Sequence, residues 1–172
     1  LPAQAFSGIQ AGILTDDSPG NAEILKINPA RIQNALNDGK IVVVAGFQGA
    51  TTEGDVRTLG RGGSDTSAVA LASALNAEKV EIYSDVDGIA NCDPRQISEA
   101  AFMDKVSAAQ VLSMANEGSI VIHPRAVKAS LQTQTPIVAR NTYSNVPGTL
   151  IFHGSDVEEG NQVALAYREE MS

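Results

Sequence analysis

The run Leu-Gly-Arg-Gly-Gly-Ser-Asp at residues 59–65 is followed by a stretch rich in alanine and leucine that extends to Leu75. Glycines allow a backbone to approach a ligand closely, and the first turn of a helix offers unpaired N–H groups to an anion. Ser64 is a residue type favoured as a helix N-cap. The glycines alone support two interpretations equally: an anion site at a helix N-terminus, or a glycine turn before a capped helix.

Arg61 favours the anion site, because its guanidinium group is suited to binding a carboxylate or a phosphate. The run is not a Walker A loop, since no Gly-Lys-Ser/Thr follows the glycines, and its glycine spacing differs from the dinucleotide fingerprint. Spacing alone therefore predicts an anion site at a helix N-terminus and no particular ligand.

The flanking sequence predicts helices and strands in alternation. A helix after Pro29, with Ile32, Ala35 and Leu36 on one face, ends at Gly39 and leads into a buried central strand. The predicted strands lie at residues 41–45, 79–84, 137–140 and 149–152, and the further helices at 64–75, 107–116 and 124–131. Residues 46–63 and 85–95 are predicted loops. This order predicts an α/β sheet with helices on its faces.

Composition narrows the class of protein. With 172 residues, of which 43% are hydrophobic and 19% charged, the chain is long and apolar enough for one compact domain. The net charge of −8 and the scattered 12 Lys and Arg residues argue against a nucleic-acid partner. The apolar runs are too short to span a membrane. Cys92 is the single cysteine, which fits a cytoplasmic protein.

Several motifs in order carry a family resemblance. Around residues 59–65 the chain has Val-Ala-Gly-Phe-Gln-Gly (44–49), Ser-Gly-Ile-Gln-Ala-Gly (7–12), Tyr-Ser-Asp-Val-Asp-Gly (83–88), Asp-Pro-Arg (93–95), His-Pro-Arg-Ala-Val (123–127) and Pro-Gly-Thr-Leu-Ile (147–151). Together they resemble the amino-acid kinase family, and specifically its aspartate kinases. The resemblance implies a three-layer α/β/α sandwich of the carbamate kinase-like type, lacking its N-terminal strand and helices.

The resemblance also implies roles for individual residues. Arg61 and Ser64 would bind substrate aspartate, and Asp65 would be the catalytic residue that organises phosphoryl transfer. Nucleotide-binding roles fall on five residues: Gly62, Gly63, Ser84, Asp85 and Arg95. ATP and Mg²⁺ are the implied cosubstrate and cofactor, with no metal ligand assigned, and the partners are small molecules within a homodimer.

Three departures from the family pattern leave an alternative open. No Lys-Phe-Gly-Gly strand precedes Leu1, Ala90 stands where relatives have a tyrosine that frames the nucleotide, and Ile120 stands where they have a lysine. The chain is therefore predicted to be a partial catalytic domain that is inactive by itself. The alternative is a nucleotide-binding module that has lost catalysis, and kinases acting on glutamate, acetylglutamate or UMP are more distant.

For His123 a structural role is favoured, whereas for Asp87 a turn-forming role and a role at the site are equally open. His123 stands before Pro124 at a predicted helix start, and Asp87 precedes Gly88 in a position typical of turns. Residues 1–153 are predicted to form the kinase-like domain, and residues 154–172 an acidic tail or the start of a regulatory region.

Overall fold

The computed structural model describes residues 1–94, 97–116 and 121–154. The chain divides into two compact units, one from Leu1 to Glu78 and one starting at Lys79. Each unit has its own strands, helices and buried side chains. Arg95, Ile120 and residues 155–172 lie outside the described residues.

The first unit consists of six strands and two helices. In chain order they are β1 (Ala3–Phe6), β2 (Ile13–Thr15), β3 (Ile24–Ile27), α1 (Ala30–Asn37), β4 (Ile41–Val44), β5 (Gln48–Ala50), β6 (Val56–Thr58) and α2 (Gly63–Ala74). Strands β1 and β4 form a parallel pair. The other four strands form a sheet in the order β3-β2-β5-β6, in which only β2 and β5 run parallel.

The β1–β4 pair is covered on one face. Val42 and Val44 pack against the core formed by side chains of β1, β2 and α1. Ile41 and Val43, which alternate with them, are 50% and 56% exposed. The prediction of a buried central strand at residues 41–45 is therefore wrong in its burial, because successive strand side chains point to opposite faces and the core covers only one of them.

Two other expectations for this unit need correction. Residues 46–63, predicted as a loop, contain the antiparallel pair β5–β6. Each of these strands has three residues, too few to produce a recognisable period in the sequence. Helix α1 buries Ile32 and Ala35 as predicted, whereas Leu36 is 43% exposed.

The second unit has one sheet and two helices. Its elements are β7 (Val80–Ser84), β8 (Lys105–Ser107), α3 (Ala108–Asn116), α4 (Pro124–Thr133), β9 (Ile137–Asn141) and β10 (Thr149–Phe152). The strand order is β7-β9-β10-β8, with β7 parallel to β9, β8 parallel to β10, and β9 antiparallel to β10. Helix α3 packs against α4, β8 and β10. All the elements predicted in this region are confirmed within two residues, and β8 was not predicted.

His123 has the structural role that its position suggested. It is the N-cap of α4, and its Nδ1 atom accepts a hydrogen bond from the backbone N–H of Arg125 at 3.3 Å. Pro124 follows at the first helical position, where a missing N–H costs nothing. The sequence therefore predicted this helix start correctly.

Candidate functional site

The glycine run at the start of α2 has a conformation that requires glycine. Gly60 and Gly62 have φ values of 72° and 68°, and Gly62 is the N-cap of α2. The predicted N-cap role of Ser64 is wrong, since Ser64 lies inside the helix and no side chain caps it. The residue ahead of the helix is left-handed, a conformation that glycine adopts without the steric penalty of a Cβ atom.

Gly63 is required for a different reason, which is close packing. A Cβ atom at this position would lie 2.7 Å from Cβ of Leu59 and 2.8 Å from Cδ2 of Phe47. Gly63 is buried, and its N–H donates to the carbonyl of Gly60 at 2.9 Å. The first turn of α2 therefore packs closely against Leu59 and Phe47.

Phe47 holds both ends of the glycine run in place. Its N–H donates to Oγ of Ser67 at 3.2 Å, and that hydroxyl donates to the carbonyl of Ser64 at 2.8 Å. Its own carbonyl accepts from the N–H of Leu59 at 3.0 Å. Phe47 has a φ of 68°, which costs a non-glycine residue on the order of 1–3 kcal/mol and persists only where the surroundings enforce it. Its sequence position gave no sign of this conformation.

The charges at the start of α2 are Arg61 and Asp65. Arg61 is exposed, and within the described ranges its guanidinium group has no hydrogen-bond or ion-pair partner. Asp65 is half-buried in the first helical turn, and Oγ of Ser64 approaches its Oδ1 at 3.5 Å. A carboxylate there stabilises the helix but offsets part of its positive end. Of these two charged side chains, only that of Arg61 would attract an anion to this helix start.

Ser84 and Asp85 lie in the second unit, where β7 ends. The following residues form a turn in which Asp87 accepts hydrogen bonds from Asn141 at 2.8 Å and Ser144 at 3.0 Å. The turn role weighed for Asp87 is the one its contacts show. The sequence analysis did not single out Asn141 or Ser144, although both follow the predicted strand at residues 137–140, and this position was an available signal.

The loop after β7 is closed by one buried hydroxyl group. Oγ1 of Thr149 accepts from the N–H of Ile89 at 2.8 Å and donates to the carbonyl of Met103 at 2.6 Å. The N–H of Met103 donates to the carbonyl of Ile89 at 2.9 Å. Ala90 pairs with Phe102 in a single antiparallel bridge beside these bonds. The two ends of this loop are therefore fixed to β10.

In the described ranges no group of three or more His, Cys, Asp or Glu side chains could hold a metal ion. None of the helices described is both long and apolar enough to cross a bilayer.

Comparison with known proteins identifies the family. Residues 1–156 match the Amino acid kinase family. The chain belongs to this family. Among solved amino acid kinases, it resembles aspartate kinase from Synechocystis with a TM-score of 0.73 and 42% identity, over 92% of this chain and 26% of that one. The predicted α/β fold of the amino acid kinase type is thereby confirmed.

Other relatives share the same part of the chain. The aspartokinase of Corynebacterium glutamicum is 51% identical over 150 residues, which are 87% of this chain and 36% of the relative. Aspartokinase III of E. coli, solved in complex with aspartate and ADP, has a TM-score of 0.76 and 32% identity over 90% of this chain and 36% of its own. The chain thus spans about a third of the length of these amino acid kinases.

Proposed function

We propose that this chain is part of an aspartate kinase. Such an enzyme transfers the γ-phosphoryl group of ATP to the side-chain carboxylate of L-aspartate and gives 4-phospho-L-aspartate, a precursor of lysine, threonine and methionine. The observation that carries the proposal is Arg61, an exposed guanidinium group without a partner among the described residues, beside the glycine-rich start of α2. The 51% identity to an aspartokinase supports aspartate as the substrate.

The chemistry of this reaction suits the residues at the start of α2. The acceptor carboxylate has a pKa near ~4 and is ionised at neutral pH, so no general base is needed. Two anions must instead be brought together in line by cations and N–H donors. Arg61 and Ser64 would bind aspartate, with the guanidinium group forming paired hydrogen bonds to a carboxylate. Asp65 would orient a cation rather than accept a proton.

Five residues have proposed roles in binding the nucleotide. Gly62 and Gly63 would let phosphate oxygens approach the backbone, and Ser84 and Asp85 would contact adenosine. Arg95, outside the described residues, would approach the phosphates. Mg²⁺ usually binds through one or two carboxylates together with substrate phosphates, so a single carboxylate such as that of Asp65 fits it. We expect a cytoplasmic homodimer.

One observation favours a second candidate, a nucleotide-binding module without catalysis. Ala90 stands where the resemblance calls for a tyrosine, and its backbone pairs with Phe102 in the bridge that closes the loop. A methyl side chain there removes a surface on which an adenine ring could stack. The two candidates predict the same ligands and differ in whether the protein that contains this chain transfers a phosphoryl group.

Binding of L-aspartate, measured by isothermal titration calorimetry, tests the main proposal. Arg61→Lys keeps the charge but loses the planar fork, so we expect at least about a tenfold weaker affinity, as for the loss of one charged hydrogen bond. Arg57→Lys is the matched control, because the guanidinium group of Arg57 is already paired with Asp17 and Asp55. This control should bind aspartate like the unchanged chain.

Equal aspartate affinity in the two variants would show that Arg61 does not bind the substrate. Tighter binding of glutamate, acetylglutamate or UMP than of aspartate would assign the chain to a different kinase activity. Incubation with ATP, Mg²⁺ and aspartate in hydroxylamine then tests turnover. Trapped acyl phosphate would indicate a kinase and would overturn the expectation that this chain is inactive by itself, whereas binding of both ligands without acyl phosphate is expected under both candidates.

A further inference from the structure

The segment that connects β9 to β10 lies against the end of β7. The two strands β7 and β9 are parallel neighbours, and Ser84 is directly opposite Asn141 in their register. The carboxyl ends of both strands therefore leave the sheet at the same edge, where ligands of open α/β sheets bind. Asn141 is the last residue of β9 and residues 142–144 begin the β9–β10 connection; we call residues 141–144 the clamp.

The clamp makes four short hydrogen bonds to residues 84–87. The N–H and Oγ1 of Thr142 both donate to the carbonyl of Ser84 at 2.9 Å. Nδ2 of Asn141 donates to Oδ1 of Asp87 at 2.8 Å, and Oγ of Ser144 donates to the same oxygen at 3.0 Å. These bonds fix both Ser84 and the turn that contains Asp87.

The clamp is itself ordered by a local hydrogen bond. Oδ1 of Asn141 accepts from the N–H of Tyr143 at 2.7 Å, which closes a turn of the kind that asparagine favours. The side-chain amide of Asn141 thus uses its oxygen within the clamp and its nitrogen on Asp87. An aspartate at this position could keep the first bond but would present a carboxylate to the second.

We propose that Asn141 is a positioning residue for the nucleotide, acting together with Thr142 through residues 84–87. This proposal rests on the proposed function, which assigns adenosine contacts to Ser84 and Asp85. The clamp holds that segment in its bound shape before the nucleotide arrives. It also keeps one oxygen of the Asp87 carboxylate engaged with two neutral donors, so that the position of this charge is fixed.

The expected size of the effect follows from population shift. If the segment adopts its binding shape only a tenth of the time, the apparent dissociation constant rises about tenfold. Asn141→Asp should have this effect, because two carboxylates would meet where one hydrogen bond now spans 2.8 Å. Asp87→Asn restores a donor to face the new carboxylate, so the double variant should recover the affinity.

The experiment measures MgADP binding to the full chain by calorimetry, in four variants and the unchanged chain. Asn141→Asp should weaken binding about tenfold, and Asn141→Asp with Asp87→Asn should return to within about threefold. Asp87→Asn alone should bind nearly as the unchanged chain, since its side-chain oxygen still accepts. Asn145→Asp adds the same charge four residues later, on an exposed side chain that makes no hydrogen bond to residues 84–87. It should change binding by less than about twofold, because an exposed charge is screened by salt.

Far-UV circular dichroism and unfolding midpoints show whether each variant is folded. Aspartate affinity is a second readout, and it should stay constant across the series, since a general loss of structure would lower both affinities. Equal weakening by Asn141→Asp and Asn145→Asp, or no recovery in the double variant, would overturn the positioning role. If the unchanged chain binds no MgADP, the proposed function itself fails, and the role of the clamp fails with it.

Discussion

Removal of the Ser67 hydroxyl group tests how the candidate substrate site is held. This side chain is 1% exposed in α2, and its oxygen joins the N–H of Phe47 to the carbonyl of Ser64. Ser67→Ala deletes both bonds and leaves the helix otherwise intact. The N–H of Phe47 then loses its partner at a residue whose φ of 68° needs support.

The magnitude follows from the two bonds and from helix propensity. A partly buried N–H without a partner costs about 1 kcal/mol, at the low end of the usual range because water can reach it, and the second bond contributes about 1 kcal/mol. Alanine is the better helix former by about 0.5 kcal/mol. Ser67→Ala should therefore lower the free energy of unfolding by about 1–2 kcal/mol, which for a chain of this size lowers Tm by roughly 3–6 °C.

The matched control is Ser73→Ala, the same substitution in the same helix. Urea unfolding followed by circular dichroism at 222 nm compares the two variants, and calorimetry compares their affinities for aspartate. We expect Ser73→Ala to be as stable as the unchanged chain or slightly more stable. If Ser67→Ala is no less stable than this control, the hydroxyl group does not hold Phe47 and Ser64 together, and our account of the site is wrong.

Two further predictions concern the second unit. Hydrogen bonds from Lys79 and then Tyr83 lower the pKa of Glu81 from 4.5 to about 2, so its stabilising effect is complete above about pH 4.5 and is lost as the pH falls toward 2. The urea midpoint of Glu81→Gln should therefore fall less between pH 5 and pH 3 than the midpoint of Glu78→Gln. An equal fall in the two variants would refute the stabilising role of the Glu81 carboxylate. Ala90→Tyr should tighten MgADP binding about tenfold through ring stacking, relative to Ala90→Leu, and calorimetry showing equal affinities would refute a stacking role at this position.

The sequence predicted those elements whose local signals agreed with their packing. Helix α4 has Pro124 at its first position and His123 as its cap, and strand β10 has an apolar run that the structure buries on one face. Strands β5 and β6 were missed because three residues cannot show a period. The prediction that the strand at residues 41–45 is buried was wrong at Ile41, because tertiary contacts decide which face of a strand the core covers. No local sequence pattern reports those contacts.

The residues of the candidate site differ in the same way. The chemistry of glycine and arginine indicates an anion site, so Arg61 and Gly62 could be proposed from residue types, and their roles stay predictions. Phe47 and Asn141 act through contacts with residues distant in the chain, at separations of 20 residues from Ser67 and 54 from Asp87. Such contacts can be identified only once the three-dimensional arrangement of the chain is known.

The closure of the loop after β7 has a consequence for how such chains can diverge. Thr149 joins Ile89 to Met103, and the N–H of Asn91 donates to the carbonyl of Ala101 just inside that junction. Doubling the length of a flexible loop costs only about 0.6 kcal/mol once its ends are held. Substitutions and insertions between these fixed ends should therefore leave the sheet unchanged, so the sequence of this loop can diverge without a new fold.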